Sequence, residues 1–362
     1  MVTFRCLRLV SKPYAGTCKE PSTERGITVD SGSPDDLDQR LLCALQLDGR
    51  APFSRLAQTL GVSEHTAARR YRRLRTLGLR IVARPNPVRL GQVRWLIRLH
   101  CAPDAAGSLA RALARRPDTS WVTLSSGGTE LYCALDARSA DEGSALLLRK
   151  LPRAPHVVSA STHCMMRIFI GETSTWHATR FRTPAPAAAS TDGTFGTPGT
   201  SGTPSSPGAP STSPIRLDAT DRALFAELGL DGRATLPALS KAAGRSPSSV
   251  QRRLDRLRDQ GALGFFVDFD PQLLGHHMSA QLWLKVAPAH LRTVGETLAT
   301  HPDIAFAAAV TGSANLVASG VFRTPADLYD YIDHHLGPLP GIQSIETTPT
   351  LCEIKRLVPP SS

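Results

Sequence analysis

The chain has little that a redox, membrane or metal-dependent protein needs. Its seven cysteines, Cys6, Cys18, Cys43, Cys101, Cys133, Cys164 and Cys352, are scattered, odd in number and never spaced as C-x-x-C. That argues against a disulfide framework and against a structural zinc site. Cys43, Cys101 and Cys133 fall inside apolar patterns and read as small buried hydrophobes. No apolar run approaches the eighteen residues of a membrane span, and the apolar stretch 6–10 is too short for a signal peptide. A reduced, cytoplasmic setting is expected. No P-loop, G-x-G-x-x-G or G-x-S-x-G elbow is present. The adjacent pairs His276-His277 and His334-His335 point apart on a strand or helix and do not make a shared metal site. No cofactor, no metal and no catalytic residue are expected.

What is present is a repeat and a surplus of arginine. The 362 residues carry a net charge of +11 and a pI near 9.7, which favours a polyanionic partner. Leu47-Asp48-Gly49-Arg50-Ala51 returns as Leu230-Asp231-Gly232-Arg233-Ala234, 183 residues later. In the same register Asp38 meets Asp221, Leu41 meets Leu224, Gly61 meets Gly244, Ser63 meets Ser246, Arg69-Arg70 meets Arg252-Arg253 and Gly78 meets Gly261. One register kept over about forty residues is a duplicated domain, not a solenoid.

Composition divides the chain. Residues 1–34 lack any period and read as a disordered tail. Residues 183–214 are almost wholly Gly, Ser, Thr, Pro and Ala. They form a linker that as a coil would span roughly 30 Å. The expected units are a helix-turn-helix domain over 35–84, a ferredoxin-like domain over 90–182, a second helix-turn-helix domain over 215–270 and a second ferredoxin-like domain over 276–358. In the second half, the alternation of Ala280, Leu282, Leu284 and Val286 against Gln281, Trp283 and Lys285 predicts a strand over 278–287. A helix over 288–300, strands over 304–310 and 315–322, a helix over 325–336 and a strand over 342–354 complete βαββαβ. The first half repeats this order: strand 92–101, helix 104–116, strands 119–125 and 130–136, helix 139–150 and strand 156–170. The fold class is α+β, with each of two winged helix-turn-helix units followed by a ferredoxin-like unit.

In each helical unit a Gly turn and a capping serine introduce a third helix. Ala67, Tyr71 and Leu74 make its apolar stripe in one copy; Val250, Leu254 and Leu257 make it in the other. The polar face then carries His65, Thr66, Ala68, Arg69, Arg72 and Arg73 in the first copy. It carries Ser248, Ser249, Gln251, Arg252 and Arg256, with Asp255, in the second. Short polar residues near the helix start suit base edges and later arginines suit phosphates, so double-stranded DNA is the expected partner.

These residues resemble the Lrp/AsnC (feast-or-famine) family of transcription regulators. The likeness rests on Asp38, Asp48-Gly49-Arg50, Gly61-Val62-Ser63, Arg70 and Gly78, on their counterparts 183 residues on, and on Pro302-Asp303, Thr311-Gly312, Asn315-Leu316 and Leu339-Pro340-Gly341-Ile342 in the second half. The resemblance implies self-association through the ferredoxin-like domains. It also implies an effector, an amino acid or related metabolite, at the turn Thr311, Gly312, Ser313 and Asn315 and at its counterpart Ser126, Gly127 and Glu130. Glu130 is expected to hold an α-amino group that Asn315 would hold weakly if at all. Family members usually carry one copy of each module and dimerise, so one chain here is expected to imitate a dimer. Two alternatives stand. One is an enzyme resembling the siroheme decarboxylases, which share both modules; His100, His156 and His163, or His276 and His301, would hold carboxylates. The other is a DNA-binding protein with no effector.

Overall fold

The helical unit is built twice from the same local rules. The computed structural model describes residues 34–102, 105–137, 156–171 and 214–356. The tail, the expected helix 139–150 and the linker lie outside the described residues, apart from Pro34 and Pro214. Helix α1 (Asp36–Leu47) starts at a reciprocal capping box between Asp35 and Asp38, which satisfies two of the helix's orphan N–H groups. Helix α2 (Phe53–Leu60) ends at Gly61, whose φ of 69° closes it in the left-handed region. Helix α3 (Glu64–Thr76) begins at Ser63, which accepts the Thr66 N–H at 3.1 Å. Leu41, Leu42, Leu45, Leu56, Ala67 and Leu74 are buried together. Each such leucine contributes about 1.5–3 kcal/mol of burial. A short strand, β1 (Arg80–Pro85), follows.

Strand β2 (Val93–Cys101), helix α4 (Ala106–Ala114), β3 (Thr119–Ser125), β4 (Glu130–Ala137) and β5 (Val157–Ile170) make the first ferredoxin-like module. The second helical unit is α5 (Ala219–Leu230), α6 (Leu236–Ala243), α7 (Pro247–Asp259) and the strand β6 (Leu263–Asp268). The second module is β7 (Met278–Val286), α8 (Leu291–Leu298), β8 (Ile304–Val310), β9 (Leu316–Phe322), α9 (Pro325–Tyr331) and β10 (Ile342–Lys355). Three helices are shorter than the periodicity predicts. A 3-10 turn at Pro288–His290 takes the start of the helix expected at 288, and Ile332–Leu336 leaves the α-helical path. Helix α4 ends at Ala114, two residues early; the expected start at 104 lies outside the described residues.

The two halves meet twice. Strands β1 and β6 pair antiparallel from Arg80↔Asp268 to Pro85↔Leu263, so the two wings form one ribbon. Ile81 belongs to the core of the first helical unit and Ala83 to that of the second. Arg50 donates to the carbonyls of Gly232 and Ala234 at 2.8 and 2.9 Å. Arg233 returns the same two bonds to Gly49 and Ala51 at 2.9 and 2.8 Å. Gly232 must be glycine, because a Cβ there would lie 2.9 Å from the Ile81 carbonyl oxygen, the acceptor of its own N–H.

The modules close into a barrel in the order β10-β3-β4-β2-β5-β8-β9-β7. The closing strands, 14 residues each, divide their length between two sheets. β5 pairs with β2 through Cys164 and then with β8 from Met165 onward. β10 pairs with β7 through Pro349 and then with β3 from Thr350 onward. Each sheet keeps its described helices on the outside. The inner faces meet at Leu96, Tyr132, Trp283, Ala308, Val310 and Val317. Among the described residues, edge exchange leaves neither module with an unpaired sheet edge, which is the usual liability of open sheets.

Candidate nucleic-acid interface and small-molecule site

On α3 the side chains of His65, Arg69 and Arg72 are exposed, and Thr66 and Ala68 are half-buried. On α7 Ser248, Gln251, Arg252 and Arg256 are exposed and Ser249 is half-buried. The two faces are held differently. The Ser63 and Thr66 hydroxyls bond each other at 2.8 Å. In the second copy Ser246 accepts the Ser249 N–H at 3.4 Å, and Gln251 Nε2 donates to Asp255 at 2.9 Å one turn along the helix.

Not every arginine of this run faces outward. Arg73, expected on the DNA face, pairs instead with Asp38, a buried carboxylate in the first turn of α1. Its side chain is turned toward that charge because a buried carboxylate needs a partner. Arg70 bonds Asp35 at 2.6 Å and Asp38 at 3.3 Å. Its counterpart Arg253 bonds Asp218 at 2.6 Å and Asp221 at 2.7 Å. These arginines tie the third helix to the capping box of the first. Arg75 lies 3.7 Å from Asp231 and Arg258 3.1 Å from Asp48, across the two units. Charge density along the sequence therefore overstated the free cationic face. Arg253→Ala strands the Asp221 carboxylate, which is 1 % exposed. We expect a loss of about 3 kcal/mol, read as a lower urea midpoint at unchanged slope. An unshifted midpoint would refute the clamp.

The backbone N–H of Asp221, with Arg253 beside it, holds the Asp218 carboxyl below the usual carboxylate range. The hydrogen bond from Arg98 does the same for Glu346. A depressed folded pKa gives stability that is full above the unfolded value near 4 and lost as pH falls through the folded value. The urea midpoints of wild type and of Asp218→Asn are thus expected to converge as pH drops below about 4. A difference that stays constant to the acid limit would remove this linkage.

In the barrel the expected effector turns carry less free chemistry than the sequence suggested. Glu130 is 3 % exposed and is bound by Arg98, with Ser126 donating to it at 2.9 Å. It is not presented to a ligand ammonium. Asn315 accepts the Val286 N–H at 2.9 Å and donates to the Val286 carbonyl at 2.7 Å, so its amide closes the strand end. Thr311, Gly312, Ser313, Ser126 and Gly127 remain exposed. Thr311 Oγ1 also accepts the Cys164 N–H at 2.9 Å. At Gly312, φ is 122° and a Cβ would meet His163 Nδ1 at 2.6 Å.

The histidines of the enzyme alternative are dispersed. His100 lies 3.7 Å from Glu130, and His156 is exposed at the start of β5. His163 is buried with Nδ1 2.6 Å from the Thr311 carbonyl. His276 is buried, and His301 Nδ1 is 2.7 Å from the Tyr331 hydroxyl. Burial, then the neighbouring His335, hold His301 below the usual imidazole range. Among the described residues no group of three or more His, Cys, Asp or Glu is placed to hold a metal.

Two features escaped the sequence reading. The Asp-Gly-Arg repeat works as the reciprocal clamp described above; its identity in both copies was the available signal. The other is Arg98, whose guanidinium lies 5.0 Å from the Trp283 ring and 5.7 Å from the Tyr132 ring, and which bonds Glu346 of the second module. Trp283 Nε1 donates to the Tyr132 hydroxyl at 3.3 Å. Nothing in either residue's local sequence marks this contact.

Comparison with known proteins fits this architecture. The AsnC-type helix-turn-helix domain matches residues 35–75 and again 217–258, and the Lrp/AsnC ligand binding domain matches 279–359. The HTH-type transcriptional regulator Rv2324 of Mycobacterium tuberculosis (strain ATCC 25618 / H37Rv) is 32% identical over 107 residues, 28% of this chain and 70% of that protein. The chain belongs to the Lrp/AsnC family of transcriptional regulators. Another relative in that group, the HTH-type transcriptional regulator FL11 of Pyrococcus horikoshii (strain ATCC 700860 / DSM 12428 / JCM 9974 / NBRC 100139 / OT-3), is 29% identical over 134 residues, 37% of this chain and 88% of its own. Both align with a fraction of this Lrp/AsnC chain, as a tandem duplication requires. The crystal structure of the siroheme decarboxylase NirDL superposes over 89% of this chain and 93% of that one, with a TM-score of 0.58 at 15% identity. At that identity the likeness is one of fold alone. No helix among the described residues is long and apolar enough to cross a membrane.

Proposed function

We propose that this chain is a sequence-specific regulator that grips double-stranded DNA as a pseudo-dimer within one polypeptide. Helices α3 and α7 enter successive major grooves, and the ferredoxin-like modules respond to an amino acid or related metabolite. The observation that carries the DNA reading is the sorting of arginines. Arg70, Arg73 and Arg253 are half-buried against carboxylates of their own unit, and Arg75 and Arg258 pair at the surface with carboxylates of the other unit, while Arg69, Arg72, Arg252 and Arg256 stand exposed on the outer faces of the two third helices. His65, Thr66 and Ala68 on one helix against Ser248, Ser249 and Gln251 on the other suit two unlike half-sites, one DNA turn or a multiple apart. Gln251 is the side chain suited to adenine, once it leaves Asp255.

Changing Arg69 and Arg252 together to Ala is expected to weaken operator binding by about 1–3 kcal/mol per site and to lower the salt slope by about two. Anisotropy titrations across a salt series measure both. A double variant that binds like wild type with an unchanged slope would reassign the interface. The small-molecule reading is supported by the ligand-binding-domain match over 279–359. It is tested by thermal shift against the twenty amino acids, with Gly312→Val to locate any response. A second reading, a siroheme-decarboxylase-like enzyme, has the shared fold in its favour and the exposed recognition-helix arginines against it. Added siroheme that leaves the absorbance spectrum unchanged would remove it.

A further inference from the structure

The barrel is not filled. A cavity of about 180 Å³ lies between the two sheets and the β6 end of the wing ribbon. Leu96, Trp121, Thr123, Tyr132, Phe266 and Phe306 are among its walls. We infer that this lumen is a binding site for a compact neutral aromatic molecule carrying one hydrogen-bonding group, such as a phenol or an aromatic alcohol. The place and the ligand chemistry both differ from the effector turns, so the inference goes beyond the function proposed above.

Size comes first. An engineered apolar cavity of about 150 Å³ takes benzene. The barrel lumen therefore admits one aromatic ring with a small substituent. Shape and lining come second. Trp121, Tyr132, Phe266 and Phe306 offer faces and edges on several sides, the environment in which a ring gains most from offset and edge contacts.

Charge comes third. The cavity's two arginines are already paired with carboxylates. Arg94 bonds Asp136 at 2.6 Å, and Arg356 bonds Glu353 and lies 3.4 Å from Asp268. A ligand carboxylate meets no cation left for it, and its desolvation is uncompensated.

The fourth observation is a polar group awaiting a partner. Val122 and Leu124 pack toward α4 in the first module's core, so the alternation of β3 turns Thr123 to the lumen. Thr123 is 5 % exposed, and its hydroxyl has no hydrogen-bond partner among the described residues. The corresponding residue of the second module, 185 positions on, is Ala308, so the hydroxyl sits on one side only. Buried hydroxyls are nearly always satisfied, and one that is not marks a place for a missing partner. Beside it, β3 carries a register shift between Ser120 and Thr123, and Trp121 there has a φ of 51°. A bulge re-aims a side chain, and a bulky residue in the left-handed region persists only where its surroundings demand it. Trp121 is 42 % exposed and reaches from solvent to the cavity wall, which makes it a reporter at the entrance.

The test uses the full chain, with tryptophan fluorescence and thermal shift as readouts. The probes are phenol, benzyl alcohol, toluene, benzoate and L-phenylalanine. Phenol and benzyl alcohol are expected to bind in or below the millimolar range, and benzoate and L-phenylalanine at least tenfold more weakly. Thr123→Val keeps the side-chain shape and removes the hydroxyl. It is expected to weaken phenol about fivefold and to leave toluene unchanged. Ala134→Leu projects into the lumen and is expected to abolish binding of every probe; circular dichroism and retained DNA binding establish that it folds. Failure of phenol and benzyl alcohol to bind overturns the inference. So does equal phenol affinity in wild type and Thr123→Val, or in wild type and a folded Ala134→Leu.

Discussion

Trp283→Arg is expected to destabilise the paired modules by about 5 kcal/mol or more, enough to unfold a protein of ordinary stability. The reason is a contact between unlike residues at equivalent places. Arg98 and Trp283 occupy the same position in their two modules, 185 residues apart, and they meet across the barrel with the guanidinium 5.0 Å from the ring centroid. Arginine at both places puts two cations about that far apart, a repulsion of roughly 3 kcal/mol at an effective dielectric constant near 20. The buried indole and its bond to the Tyr132 hydroxyl are lost as well, and loss of a buried indole alone costs about 3–5 kcal/mol. By the same argument, a first module paired with a second copy of itself would set Arg98 against Arg98. The chain's two halves are thereby made partners for each other. A double-mutant cycle with Arg98→Met isolates the charge contribution. The two changes should couple by about 3 kcal/mol, and a coupling within about 0.5 kcal/mol of zero would show that repulsion is not the cause.

That contact also marks where the sequence stops being legible. The helical units could be read almost residue by residue, because their signals are local. Leu37, Leu41 and Leu45 recur at helical spacing, Gly61 and Gly244 need positive φ, and Ser63 and Ser246 accept their own helix's N–H groups. The strands were equally local, from the period-two pattern of 280–286. What could not be read is where each strand ends its allegiance. β5 changes partner between Cys164 and Met165, and β10 between Pro349 and Thr350. Each strand runs on unbroken through its switch point, so only the other half of the chain decides. The arginines fail for a related reason. Arg72 and Arg73 are neighbours of one kind, yet one is exposed and the other meets Asp38, thirty-five residues away on another helix. Helical periodicity predicts the face, and the location of the buried carboxylate decides which cation stays free. Glu130 misled in the opposite sense. An acid in a glycine turn reads as a ligand group until Arg98 is found on it.

Gly232→Val is expected to separate the two DNA-binding units while leaving each of them folded. The residue sits where the second unit's Asp-Gly-Arg crosses the first unit's wing. Its N–H donates to the Ile81 carbonyl at 2.7 Å, and a Cβ would stand 2.9 Å from that oxygen and 3.0 Å from its carbon. Backbone on both sides leaves no flexible end to yield, so the ribbon of β1 and β6 has to open. Opening also releases the bonds from Arg50 to Gly232 and Ala234 and those returned by Arg233. The expected cost is about 3 kcal/mol or more, by the range for overpacking and broken buried networks. The recognition helices then lose their fixed separation and are held only through their connections to the barrel. Affinity for a duplex with two half-sites is expected to fall on the order of tenfold or more, through lost effective concentration, with little change for a single half-site. Gly229→Ala is the matched control. Its Cβ would lie 3.8 Å from the Ala83 carbonyl, an ordinary contact inside a helix, so stability should hold or rise slightly. Urea midpoints and anisotropy titrations on one-site and two-site duplexes distinguish the cases. A Gly232→Val protein with the wild-type midpoint and undiminished two-site affinity would mean that the wing ribbon does not set the spacing of α3 and α7.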